Sequence, residues 1–102
     1  MSNITGSFYF KRTKFGNLIG ELINYASDNV ITETANLISD IGDDYSGDYQ
    51  ATWIDISNHL AELKITKISN KYKLEWSEPN NLSYLGEGFL VDDTLIGSYY
   101  QK

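Results

Sequence analysis

Residues Lys71 to Tyr100, KYKLEWSEPNNLSYLGEGFLVDDTLIGSYY, constrain the fold more than any other part of the chain. Tyr72, Leu74 and Trp76 alternate with Lys71, Lys73 and Glu75, the period-2 pattern of a strand with one buried face. Glu78-Pro79-Asn80-Asn81 then breaks the pattern. Proline presets φ for a turn, and asparagine tolerates the left-handed conformation that a reversal needs. Leu82 to Val91 reads as a second strand carrying Gly86 and Gly88 on one face. Two such notches let a sheet bend, or let a large ring lie against the backbone, and Trp76 across the turn is the obvious ring. Asp92-Asp93 makes the next turn, and Leu95, Gly97 and Tyr99 share a face of the closing strand.

The remaining segments continue the pattern. Ile4 to Arg12, with Phe8, Tyr9 and Phe10, forms a first strand, and Phe15-Gly16-Asn17 turns the chain. Residues 18–41 admit two readings. Leu18, Ile19, Leu22, Ile23 and Ala26 recur at helical spacing, and Asp28 could cap a second helix, which would give an α+β fold. Against this, Gly16, Gly20 and Asn24 weaken a helix, while Val30, Ile31, Thr32 and Thr34 are β-branched. Ser27-Asp28-Asn29 would serve as a hairpin turn, so strands at 18–25 and 30–38 are the choice taken. In Asp48 to Ser57, Tyr49, Ala51 and Trp53 share one face, with Ile54 and Ile56 on the other. Apolar residues on both faces imply cover on both sides or a shared interface. Leu60 to Ser69 alternates Leu63 and Ile65 with Glu62, Lys64 and Thr66, and Ile68 breaks the phase. The whole is one all-β domain over residues 1–102: about eight strands in an antiparallel meander, able to close into a barrel.

The run Tyr72-x-Leu74-x-Trp76, Tyr84-x-Gly86-x-Gly88, Leu95-x-x-x-Tyr99 resembles the end of small bacterial β-meander domains of lipocalin-like or avidin-like barrel type. The resemblance covers about a third of the chain and implies a fold rather than a ligand. Gly97 departs from it, standing where an aliphatic residue is usual. The tryptophan-rich pocket of avidins is absent too, with Trp53 and Trp76 the two tryptophans present.

Chemistry is sparse. The chain has no cysteine, which excludes disulfides and thiolate ligands. No basic segment precedes an apolar run at the start, so no signal peptide is expected and a cytoplasmic location follows. A net charge of −6 argues against nucleic-acid backbones and anionic membrane surfaces. The basic trio Lys11, Arg12 and Lys14 is read as a solvated turn. Asp40, Asp43, Asp44 and Asp48 crowd one loop, but the spacing of a calcium loop is missing, so neither metal nor cofactor is expected. His59, the one histidine, is read as a surface residue without an inferable partner. Asp55 and Glu75 gain no glycosidase role from spacing, and Gly86-x-Gly88 lacks the rest of a nucleotide fingerprint.

The expectation is a non-enzymatic binding protein with no catalytic residues. Its leading form is a protein-interaction module of inhibitor or immunity type. The acidic patch Asp40, Asp43, Asp44 and Asp48 would meet a basic partner. The alternative is a carrier of a small apolar or aromatic ligand, with Tyr49, Trp53, Tyr72, Trp76, Tyr84 and Tyr99 lining the barrel mouth. An incompletely closed sheet would leave edges for pairing with a second copy.

Overall fold

A computed structural model of the protein describes residues 5–27, 29–40, 44–55, 57–79 and 83–102. Ile4, Asp28, Asp43, Ile56, Asn80, Asn81 and Leu82, which figure in the sequence reading, lie outside the described residues. Eight strands follow in order: β1 (Thr5–Arg12), β2 (Leu18–Asn24), β3 (Val30–Asp40), β4 (Gly47–Ile54), β5 (Asn58–Ile68), β6 (Lys71–Ser77), β7 (Ser83–Val91) and β8 (Thr94–Gln101). Each pairs antiparallel with its sequence neighbours, and β1 pairs with β8, so the sheet closes into a barrel. The paired strands at 18–24 and 30–40 decide against helices there.

That helical spacing has a simple origin in the strand. Leu18 points into the core while Ile19 is exposed, so apolar residues on both faces imitate the i, i+3, i+4 pattern. On β3 the phase is clean: Glu33 and Ala35 are buried between exposed Thr32, Thr34 and Asn36. Inward residues of all the strands fill the interior, with Phe10, Ala35, Ala51, Ile65, Leu74 and Leu95 completely buried. The outer face of β5 and β6 carries Glu62, Lys64 and Lys73 in the alternate positions.

The turns follow from residue chemistry. Asp92 and Asp93 both take positive φ (49° and 66°), the two-residue turn whose twist matches the flanking strands. Aspartate tolerates this because its short polar side chain bonds locally. Gly97 also finds its reason. A Cβ there would lie 2.0 Å from the Glu87 carbonyl oxygen, and its partner across the ladder is Gly88. Two facing glycines thus let β7 and β8 coil too closely for the expected aliphatic residue.

The two ends of the barrel differ. At the end holding the β3–β4 and β7–β8 connections, Tyr45 lies buried across the opening. Its hydroxyl donates to the Asp93 carbonyl (2.5 Å) and reaches that of Phe10 (3.2 Å). Tyr49 donates to the Tyr45 carbonyl (2.7 Å), and Tyr72 packs edge-on to the Tyr45 ring. Asp44 is held by Ser46, whose backbone N–H donates to it (2.8 Å) and whose hydroxyl bonds to it as well. Burial opposes ionisation of Asp44, but these bonds outweigh it and hold its pKa below the ordinary value. The acidic loop is therefore in part a stopper. Tyr45→Phe removes the donor that ties this ring to the Asp93 and Phe10 carbonyls, so denaturant melts should show a loss of about 1–3 kcal/mol.

Candidate functional site

The opposite end carries the cavity. Here β2 ends, β3 begins, β4 ends at Ile54 and β5 starts at Asn58. A space of about 60 Å³ opens between the strands, floored by Phe8, Leu22, Ile31 and Glu33, walled by Trp53, Trp76, Tyr84 and Tyr99, and rimmed by Asn24 and Asp55.

Glu33 is the unexpected member. It is 2 % exposed, on the inner face of β3, opposite Gly20 of β2 and Trp53 of β4. From the far wall, Trp76 Nε1 donates to its Oε2 at 2.8 Å. Trp76 can reach because its ring lies against the backbone of β7, where a Cβ on Gly86 would be 3.0 Å from the ring. That is the notch-and-ring pairing read from the sequence. Burial pushes the Glu33 carboxyl up to about 8, and the indole bond only partly counters it. At neutral pH the carboxyl thus largely keeps its proton.

The walls form a continuous series of rings. Phe8 meets Trp76 edge-on (5.6 Å between centroids), Trp76 meets Tyr99 (6.3 Å), Tyr99 meets Tyr84 (6.2 Å) and Tyr84 meets Trp53 (6.3 Å). Such tilted contacts are the favoured geometry for aromatic pairs. Burial, with smaller contributions from Tyr84 and Glu33, pushes the Tyr99 phenol up to about 12, so it remains a neutral donor, bonded to the Ile23 carbonyl (3.2 Å).

On the rim the His59 ring stacks flat on Trp53, with centroids 5.0 Å apart and planes 5° from parallel. Its Nδ1 lies 2.9 Å from Glu78 Oε1 and its Nε2 3.0 Å from Asp55 Oδ1, both at hydrogen-bond distance. Burial alone would lower the imidazole pKa, but the bonds and charges of Glu78 and Asp55 prevail and raise it. Far from being a plain surface residue, His59 is a clamp across the mouth. Ser57 Oγ lies 3.4 Å from Nε2, which superficially places a hydroxyl, an imidazole and a carboxylate in sequence. A general base needs a free lone pair on the nitrogen facing the nucleophile. Asp55 occupies that nitrogen at the shorter distance, and the raised pKa favours the imidazolium, which has no lone pair to offer.

Of the six aromatic residues expected at the mouth, Trp53, Trp76, Tyr84 and Tyr99 line the cavity together. Tyr49 and Tyr72 face inward as expected but sit at the other end, beneath Tyr45. In the acidic patch, Asp48 is exposed on β4, Asp44 is tied to Ser46, and Asp40 ends β3. Glu33 was missed, although the inward series Ile31, Glu33, Ala35, Leu37 carries the signal: one carboxylate in an apolar stripe. Among the described residues no group of three or more His, Cys, Asp or Glu side chains could hold a metal ion. No helix there is long and apolar enough to cross a membrane. Comparison with known family models, curated proteins and solved structures found no match for the chain.

Proposed function

We propose that the protein is a non-enzymatic carrier of a small molecule, which enters the barrel at the end away from Tyr45. The observation that carries this reading is the ionisable Glu33 buried at the floor of an aromatic-walled cavity. A group of this kind costs several kcal/mol to desolvate, and a domain built for stability alone would place an apolar residue there. Binding sites combine mostly apolar walls with a few placed polar groups, and this cavity has that composition. In this reading the protein is a lipocalin-like or avidin-like barrel of the small bacterial type, working in the cytoplasm. The charged outer faces of β5 and β6 around an apolar interior support an aqueous setting, since a membrane barrel has the reverse arrangement.

A second reading, the inhibitor or immunity-type module, draws on one feature. Asp48, Glu62 and Glu75, outnumbering Lys64, surround the exposed Ile38 in a shallow groove on the outer face of β3 to β6, a surface of net negative charge that would steer a basic protein. One experiment weighs both readings. Native mass spectrometry of protein purified from its own source, first gently and then under denaturing conditions, should show a discrete small-molecule mass that is lost on unfolding. A second polypeptide travelling with the barrel would transfer the function to the acidic groove, and a bare chain would remove the carrier reading.

A further inference from the structure

We propose, resting on the carrier reading, that the group inserted into the cavity is the protonated amine end of a small organic molecule, held by the Glu33 carboxylate and walled by Trp53, Trp76, Tyr84 and Tyr99. Three observations select this chemistry. The lining carries two carboxylates, Glu33 and Asp55, and among the described residues it includes no Lys or Arg. A carboxylate or phosphate would find no lysine or arginine to pair with among these lining residues, and Asp55 at the rim would oppose it. The walls are aromatic, and ring faces attract cations, most strongly where water is excluded. Size is the third observation. A cavity of about 60 Å³ is far smaller than one that holds a benzene ring (~150 Å³), so it takes a compact head such as an ammonium with one or two methylenes. The remainder of the molecule extends past Trp53 and His59 at the rim.

Charge balances without any other ion. The empty cavity holds Glu33 with its proton, bonded to Trp76 Nε1 through Oε2. When an alkylammonium enters, Glu33 ionises, its proton leaves to solvent, and the ammonium takes its place beside the carboxylate. The cavity gains no net charge, which limits the cost of holding ions among aromatic walls. The other titratable groups facing it are Tyr84 of β7 and Tyr99 of β8, both with raised pKa values. Asp55 after β4 and the His59 clamp on β5 supply the charges of the rim.

Both tryptophans of the chain line this cavity, so intrinsic fluorescence reports its occupancy directly. The test is a titration in amine-free buffer with butylammonium, 1-butanol and butyrate, three probes of nearly equal size. Butylammonium should bind about tenfold or more tightly than either analogue, the difference a charge-assisted bond supplies. Its affinity should rise between pH 6 and pH 9, a range in which an alkylamine stays protonated like a lysine side chain. Glu33→Gln should abolish both the preference and the pH dependence. Stronger response to butanol or butyrate would overturn the ammonium assignment while leaving a carrier in place. Failure of all three probes to alter the fluorescence would overturn the assignment and the carrier reading together.

Discussion

Replacing Glu33 by glutamine should make the protein more stable in alkali and nearly remove one component of its pH dependence. The carboxyl has an ordinary pKa of 4.5 and a folded one of about 8. Between these values the folded chain holds a proton that the unfolded chain has released. Stability is therefore greatest below the unfolded value, falls as pH rises, and levels off once the pH passes the folded value. The shift corresponds to a loss on the order of 4 kcal/mol between pH 4 and pH 9. Glutamine keeps an oxygen to accept from Trp76 Nε1 and has nothing to ionise. Urea melts of both proteins at pH 5, 7 and 9 give the comparison, because groups common to the two cancel in the difference. His59 contributes in the same direction, since its raised pKa adds stability that is present in acid and lost as pH rises through the folded value. Curves that stay parallel across the range would show that Glu33 is already ionised or hydrated.

Trp76→Ala should cost about 3–5 kcal/mol, enough to unfold a domain of ordinary stability. The ring is 4 % exposed, packs edge-on to Phe8 and lies on the Gly86 backbone, so little around it can collapse into the space. Trp76→Phe separates packing from hydrogen bonding. It retains an aromatic ring on Gly86 but removes the donor to Glu33, whose pKa should then move above about 8. Melts would place its loss well short of that of alanine, and the pH at which stability levels off should move upward. A fully stable Trp76→Ala would mean that this ring stands in a solvent-filled opening instead of a packed wall.

The strands were legible because their phase and punctuation agree: alternation in Lys71–Ser77, β-branched residues at Val30–Thr34, and Asp92-Asp93 at the turn between β7 and β8. Alternation tells which face of a strand a residue occupies, and that is why all six candidate aromatics do point inward. It does not tell the height of a residue along the barrel axis. Height depends on how the strands are staggered when the sheet closes, a property of all eight together. Tyr49 and Trp53 share a face of β4, yet one lies under the stopper and the other in the opposite wall. Tyr45 was illegible for a different reason: it sits among aspartates in a segment whose composition reads as solvated. Glu33 was overlooked because residue type argued for solvent while position argued for the core. Its strand lay in the region where helix and strand patterns coincide.

The pairing of β1 with β8 also bears on how the molecule acquires its site. Every other pairing in the barrel joins sequence neighbours and can form as a local hairpin, early and cheaply. The β1–β8 seam cannot, because it unites the two extremes of the chain. Phe8 lies on one side of that seam opposite Gly97, and Tyr99 lies on the other opposite Gly6. The cavity is thus assembled across the one pairing that no local hairpin can make. A molecule bound between Phe8 and Tyr99 bridges the joint and favours its closed state by mass action. On the proposed carrier reading, loading and barrel closure become one equilibrium: occupancy should slow hydrogen exchange first along β1 and β8, before any effect on the interior hairpins.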